Sequence, residues 1–170
     1  FHVQFGTVAL VFEGIMFFVF LFVRKDLVHL GTLAWCFLIG PFENLWLGIL
    51  DPILPVASEM SVGLKIVCIL LGSAIIIVTL AYYIPIGLGY QTSDIFAFIA
   101  ADIVKKSYGI GLIISYAILF VIGVALGSSW GIGTLIAVVA YGPIIDRLMV
   151  IFEPFSFAVA GMTKEDKKGK

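Results

Sequence analysis

The chain has 170 residues, of which 62% are hydrophobic, 14% aromatic and only 12% charged, with a mean hydropathy of +1.18. Soluble domains run about 45–50% apolar and about 25% charged, and a chain this short leaves much of its surface wet, so a water-soluble globular fold is excluded. Ten Lys and Arg against eleven Asp and Glu give a net charge of −1 and no basic face, which excludes a nucleic-acid binder. What remains is an integral membrane protein whose first partner is the lipid bilayer.

Crossing a hydrocarbon core of about 30 Å takes roughly 20 apolar residues in a helix. In chain order, five stretches qualify: Thr7–Val23, Leu30–Leu50, Gly63–Leu88, Gly109–Gly127 and Ile132–Phe152. They are separated by Arg24-Lys25-Asp26, by Asp51-Pro52 with Pro55 and Glu59, by Gly89–Asp94, and by Ser128-Ser129. A further stretch, Thr92–Lys106, is apolar through Ile95, Phe96, Phe98, Ile99, Ile103 and Val104 but bracketed by Asp94 and by Asp102, Lys105 and Lys106. Its 15 residues reach only about 22 Å as a helix. That is too short to cross, so it lies at the interface or dips in and returns to its own side. The tail, Thr163–Lys170, reads as a solvated, disordered charge run.

Positive charge decides between the two topologies. If the short segment returns, Arg24, Lys25, Lys105, Lys106, Arg147 and the four tail lysines share one side, and only Lys65 lies on the other. That bias places the tail in the cytoplasm and the protein in the plasma or inner membrane.

An internal repeat is visible at a spacing of 102 residues. Leu30-Gly31-Thr32-Leu33 returns as Ile132-Gly133-Thr134-Leu135, Gly40-Pro41 as Gly142-Pro143, and Asp51-Pro52 as Glu153-Pro154. Asn44 matches Asp146, and the segment Thr7–Val23 matches Gly109–Ala125. Residues 1–62 then form a first repeat without its opening helix and short segment, 63–156 a second, complete repeat, and 157–170 the tail. Roughly 40 residues of the first repeat are expected ahead of Phe1. A unit with three crossings is odd, so the two repeats are expected to point oppositely through the bilayer, as in many transporters.

Gly87-Leu-Gly89-Tyr-Gln-Thr-Ser-Asp94 opening a short helix, Ser107-Tyr-Gly109, and Trp130-Gly-Ile-Gly133-Thr-Leu135 leading to Gly142-Pro143 and Asp146 resemble the YczE/YyaS/YitT family of bacterial membrane proteins. The likeness covers both repeats up to the tail. Gln91-Thr92-Ser93 stands where many members carry a proline and a tryptophan or arginine. The resemblance implies a multi-spanning membrane protein and a transporter role.

Ionisable groups inside a spanning helix cost about 2.5–3.5 kcal/mol each on insertion scales, so they face a partner or a cavity. Glu13, seven residues into the first segment, reads either as an ion- or proton-coupling carboxylate or as an acid reaching headgroup water. Glu43 and Asn44 lie just beyond Pro41, and Asp146 just beyond Pro143. A proline removes one ladder hydrogen bond and kinks the helix, so these residues either frame a central solute site or serve as packing devices between helices. Arg147 snorkels to the nearby cytoplasmic interface. Gln91, Thr92, Ser93 and Asp94 open the short helix, where side-chain oxygens accept orphan amides and a polar solute could also bind.

Gly123-x-x-x-Gly127 and Gly127-x-x-x-Gly131 read as faces for close helix packing, within the bundle, in a homodimer or with a membrane partner. Cys36 and Cys68 sit in apolar runs and read as small hydrophobes; with His2 and His29 far from either, no metal or other cofactor is expected. Gly87-x-Gly89 lacks the strand, spacing and lysine of a phosphate loop, and no nucleophile–base constellation is present, so no enzyme is expected. The leading expectation is a small inverted-repeat transporter or channel for a small solute. The alternative is a non-transporting membrane scaffold or binding subunit that works with a partner protein.

Overall fold

In lipid a backbone must satisfy its own N–H and C=O groups, so long apolar runs wind into helices. The computed structural model describes residues 5–55 and 59–162, and every regular element among them is helical. These are α1 (Phe5–Val23), α2 (Leu30–Leu50), α3 (Val62–Tyr83) continued by a 3-10 turn (Ile84–Ile86), α4 (Thr92–Val104), α5 (Tyr108–Ala125) and α6 (Ile132–Ala160). All but α4 are long and apolar enough to cross a membrane, taking α3 together with its 3-10 turn. They carry large exposed apolar side chains, among them Phe18, Phe22, Leu30, Val62, Val121, Val150 and Val159, which suits a multi-pass membrane protein. The expected charged tail, Thr163–Lys170, lies outside the described residues.

The helices gather into two compact units. The first takes the chain up to Cys68 and adds Leu88–Ile95; the second takes Ile69–Gly87 and the chain from Phe96 onward. The opening turn of α4 therefore belongs with α1 and α2.

Each unit contains the same helix-pair motif. In the first, α1 and α2 meet at Gly6 and Gly40, where a Cβ on either would fall on the carbonyl oxygen of the other. Asn44 Oδ1 accepts the Gly6 N–H at 3.0 Å. In the second, α5 and α6 meet in the same way at Gly109 and Gly142, and Asp146 Oδ1 accepts the Gly109 N–H at 2.8 Å. At the start of the second helix of each pair a threonine hydroxyl accepts a backbone N–H three residues back, Thr32 from His29 and Thr134 from Gly131, both at 3.4 Å. The second helices correspond at 102 residues, as the sequence shows. The first helices correspond at 103, Gly6 with Gly109, because α5 (18 residues) is one residue shorter than α1 (19 residues). The ungapped match of Thr7–Val23 to Gly109–Ala125 is thus one residue out of register.

Two further expectations need correcting. The equivalence of Asp51-Pro52 and Glu153-Pro154 does not extend to the helix end. α2 stops at Leu50, whereas α6 runs through Pro154 to Ala160 and ends on Gly161 in the left-handed conformation (φ 63°). Packing overrides the proline there: Ser156 and Phe157 are buried, and the Ser156 hydroxyl bonds the Tyr82 and Phe152 carbonyls.

The second correction concerns Gly123, Gly127 and Gly131 as a helix face packed within the bundle. Gly127 ends α5 with φ 82°, and the Ser128 N–H returns to the Gly123 carbonyl at 2.9 Å, a left-handed helix stop. Gly131 is the cap residue ahead of α6, and a Cβ on Gly127 or Gly131 would meet nothing within 4 Å. Those glycines punctuate a loop. Close helix-to-helix backbone approaches are instead at Gly6, Gly40, Gly109 and Gly142, and at Gly111, where a Cβ would fall on the Ala97 carbonyl of α4; Gly31 and Gly89 mark another, between α2 and the segment before α4. The second unit is further held by the Tyr141 hydroxyl to Ser73 (2.8 Å) and by the Phe98 and Tyr108 rings, 4.9 Å apart.

Candidate functional site

The polar residues of the first unit converge on one face of the α1/α2 pair. Thr32, Cys36 and Gly40 recur every fourth residue of α2, one face of a helix, and all three are buried. The Gly6–Gly40 contact brings α1 against that face. Glu13 is the ninth of the 19 residues of α1, at mid-helix. Its Oε2 accepts the Thr92 hydroxyl at 2.9 Å and lies 3.9 Å from the Cys36 thiol.

The segment Leu88–Ile95 is laid across the start of α2 by backbone bonds. The Gly31 N–H donates to the Leu88 carbonyl at 3.0 Å, and the Tyr90 N–H donates to Thr32 Oγ1 at 3.0 Å. The approach requires Gly89, whose φ of 128° disfavours any side chain and whose Cβ would lie 2.5 Å from the Thr32 nitrogen. Gln91 then caps α4: its carbonyl accepts the Asp94 and Ile95 N–H groups at 3.1 and 3.2 Å. The Gln91 side-chain amide donates to Ser93 Oγ (2.6 Å) and to Asp94 Oδ1 (3.3 Å). Thr92 and Asp94 are buried, and burial also pushes the Tyr90 phenol above its ordinary range.

The eight residues singled out from the sequence therefore separate. Glu13 and Thr92 are in direct contact, and Gln91, Ser93 and Asp94 form the turn that carries Thr92. Glu43, two turns beyond Cys36 on α2, lies within electrostatic reach of Glu13; its Oε2 is buried without a hydrogen-bond partner among the described residues. Asn44 and Asp146 are engaged elsewhere, each on the N-terminal amide of the neighbouring helix at the glycine contact of its own unit. Thr32, Cys36 and Tyr90 join the site without having been anticipated. The signal for the first two was the small, polar i, i+4 spacing Thr32-Cys36-Gly40; Tyr90 contributes its backbone, which leaves no side-chain signal.

Among the described residues, no group of three or more His, Cys, Asp or Glu side chains is placed to hold a metal ion. The arrangement offers carboxylates inside a spanning unit, one of them held by a hydroxyl donor and a thiol. Such a group can exchange a proton or balance the charge of a cation, because moving it into lipid unpaired is costly.

No curated protein and no solved structure matches the chain. A family model does: residues 1–150 match that of a family of unknown function, DUF6198. The match takes in both helix-pair motifs and all of Leu88–Ile95, and the chain belongs to this DUF6198 family.

Proposed function

We propose that this chain is a small membrane transporter or channel that passes a cation, a proton included, with Glu13 as the charge-bearing group. The observation that carries the reading is the Glu13–Thr92 hydrogen bond. It ties a mid-span carboxylate to the opening turn of a helix of 13 residues, too short to cross a bilayer. Carboxylates at Glu13, Glu43 and Asp94 within one unit favour a positively charged solute. Polar or broken helix ends meeting in the membrane are where transporter sites are commonly built. In this reading α4 returns to the side it came from, the two sequence repeats are inverted in the plasma or inner membrane, and the tail is cytoplasmic. Likeness to the YczE/YyaS/YitT family is part of the same reading, resting on the Gly-Ile-Gly-Thr-Leu and Gly-x-Gly…Asp blocks.

The test is flux into liposomes holding the purified chain, read with a trapped pH dye and with rubidium and sodium tracers. Wild type is expected to pass one of these. Glu13→Gln, which keeps size and hydrogen bonding but removes the charge, should reduce that flux at least tenfold while the protein stays monodisperse. Flux unchanged by Glu13→Gln would remove the carboxylate from the mechanism. Protein that passes none of the three while co-purifying with a stoichiometric membrane partner would establish the scaffold role instead.

A further inference from the structure

Three hydrogen bonds fasten the segment Leu88–Ile95 to the α1/α2 pair. The Gly31 N–H donates to the Leu88 carbonyl, the Tyr90 N–H to Thr32 Oγ1, and the Thr92 hydroxyl to Glu13 Oε2. The contact is closed: Thr32 is 0% exposed and Thr92 1%. The chain leading to it is built for movement. Residues 87–91 lie between the 3-10 turn and α4 and belong to neither, and Gly87 and Gly89 both stand at positive φ, 70° and 128°. Glycine leaves such a backbone many other conformations once its contacts are released.

The three fastenings differ in kind. The first two join neutral groups, so their strength does not vary with charge. The third ends on a carboxylate, and a hydrogen bond to an ionised oxygen is about twice as strong as one between neutral groups. The Thr92 backbone amide bonds the same carboxylate, so the opening turn of α4 presents two donors to one charge. Glu43 of α2 acts on Glu13 through space, more weakly than either Thr92 donor. Cys36 of α2, with Tyr90 and Asp94 of the covering segment, completes the titratable groups on the elements packed against Glu13, and α1 carries no other.

We propose that Leu88–Ile95 is a latch over the α1/α2 pair, with Glu13 as its catch. While the carboxylate is charged and unoccupied, the two Thr92 donors hold the segment down. A proton or a cation taken up by Glu13 removes the charge to which those donors are bound. The segment then lifts and opens Thr32 and the carboxylate to water. Thr92 is a positioning residue that passes the state of Glu13 to the backbone of residues 88–91. The inference rests on the reading of Glu13 as the charge-bearing group and adds what loading that group does to the fold.

The experiment is amide hydrogen exchange of the full chain in lipid nanodiscs, read at Gly31 and Tyr90, the two amides that the latch ties down. The references are Gly6, held by Asn44 at the α1/α2 contact, and Gly109, held by Asp146 in the second unit. Thr32→Val, which removes the Tyr90 acceptor, should speed Tyr90 on its own. Glu13→Gln keeps an acceptor but no charge; it should speed Gly31 and Tyr90 about fivefold, half of a charged bond being lost, and leave Gly6 and Gly109 unchanged. Thr92→Val should act alike, Thr92→Ser should restore the wild-type rates, and Thr92→Val added to Glu13→Gln should do less than it does alone. Exchange at Tyr90 that ignores Thr32→Val, or exchange at both amides that ignores Glu13→Gln, overturns the proposal. Acceleration shared by Gly6 overturns it too, since the helix pair itself would then be coming apart. Ion flux is read on the same proteins. Latch amides that respond in a protein passing no ion uphold the latch and remove the transport reading, and flux lost in Glu13→Gln with silent latch amides does the reverse.

Discussion

Replacing Gly142 with alanine should separate α5 from α6. The added Cβ would fall on the Gly109 carbonyl oxygen and press the Gly109 carbon and Ile113 Cγ1, each at 2.9 Å. The first obstacle is backbone, so no side-chain rotation relieves it. An ordinary carbon–oxygen contact needs about 3.3 Å, so the helices must part by roughly 1 Å. Overpacking of this kind costs about 1–3 kcal/mol. The same movement stretches the 2.8 Å bond from the Gly109 N–H to Asp146 beyond hydrogen-bond range, and leaving a buried donor and acceptor unmade adds about 1–3 kcal/mol. The sum, about 2–6 kcal/mol, corresponds to a drop of ~10 °C in Tm for a chain of this size. The assay is thermal unfolding in detergent, with Gly14→Ala and Gly72→Ala as references because a Cβ at either meets nothing within 4 Å. Adding Asp146→Ala to Gly142→Ala should cost little more, since one movement breaks both contacts. A Gly142→Ala protein that melts within 2 °C of Gly14→Ala would refute the close-contact reasoning.

Two other outcomes follow from local geometry. Lys105 ends α4 in the left-handed region (φ 53°), with the Lys106 N–H returning to the Ala101 carbonyl at 3.1 Å. Such a conformation costs a non-glycine residue about 1 kcal/mol, so Lys105→Gly should slow amide exchange in the last turn of α4 about two- to fivefold; faster exchange would contradict this. Burial raises the Tyr90 phenol above its ordinary value near 10. A raised folded pKa means the neutral phenol's stabilisation is complete below the unfolded value and is lost as pH rises through the folded one. Ultraviolet titration should therefore show a late tyrosine component that Tyr90→Phe removes, together with a fall in stability above about pH 10 that the variant lacks.

The site was only partly legible in the sequence. Glu13 is conspicuous there because a carboxylate in mid-helix is expensive in lipid, and Thr92 because a hydroxyl opening a short helix suggests a cap. Their bond is not, since they are 79 residues apart and nothing local records that α4 begins against α1. Asn44 and Asp146 show the opposite limit. Their matched places after Gly-Pro left a shared site and a packing role both open, and in the fold each accepts an N–H in the opening turn of the neighbouring helix at a glycine contact. The Gly123-Gly127-Gly131 spacing does not lie on one helix, since four-residue spacing marks a helix face only if the helix continues, and α5 stops at Ala125.

What the sequence by itself determined is the solvent, the element type and the repeat. An apolar excess over 170 residues admits only a bilayer, a bilayer admits only helices for runs of this kind, and Gly40-Pro41 and Gly142-Pro143 already mark the two equivalent contacts. What the tertiary structure decided is partnership. The assignment of Leu88–Ile95 to the first unit, the carriage of α6 past Pro154, and the hydrogen-bond partner of each polar side chain all depend on which backbone groups come within 3 Å of one another. That distance is set by where glycines let two helices touch, and sequence spacing along one chain does not encode it.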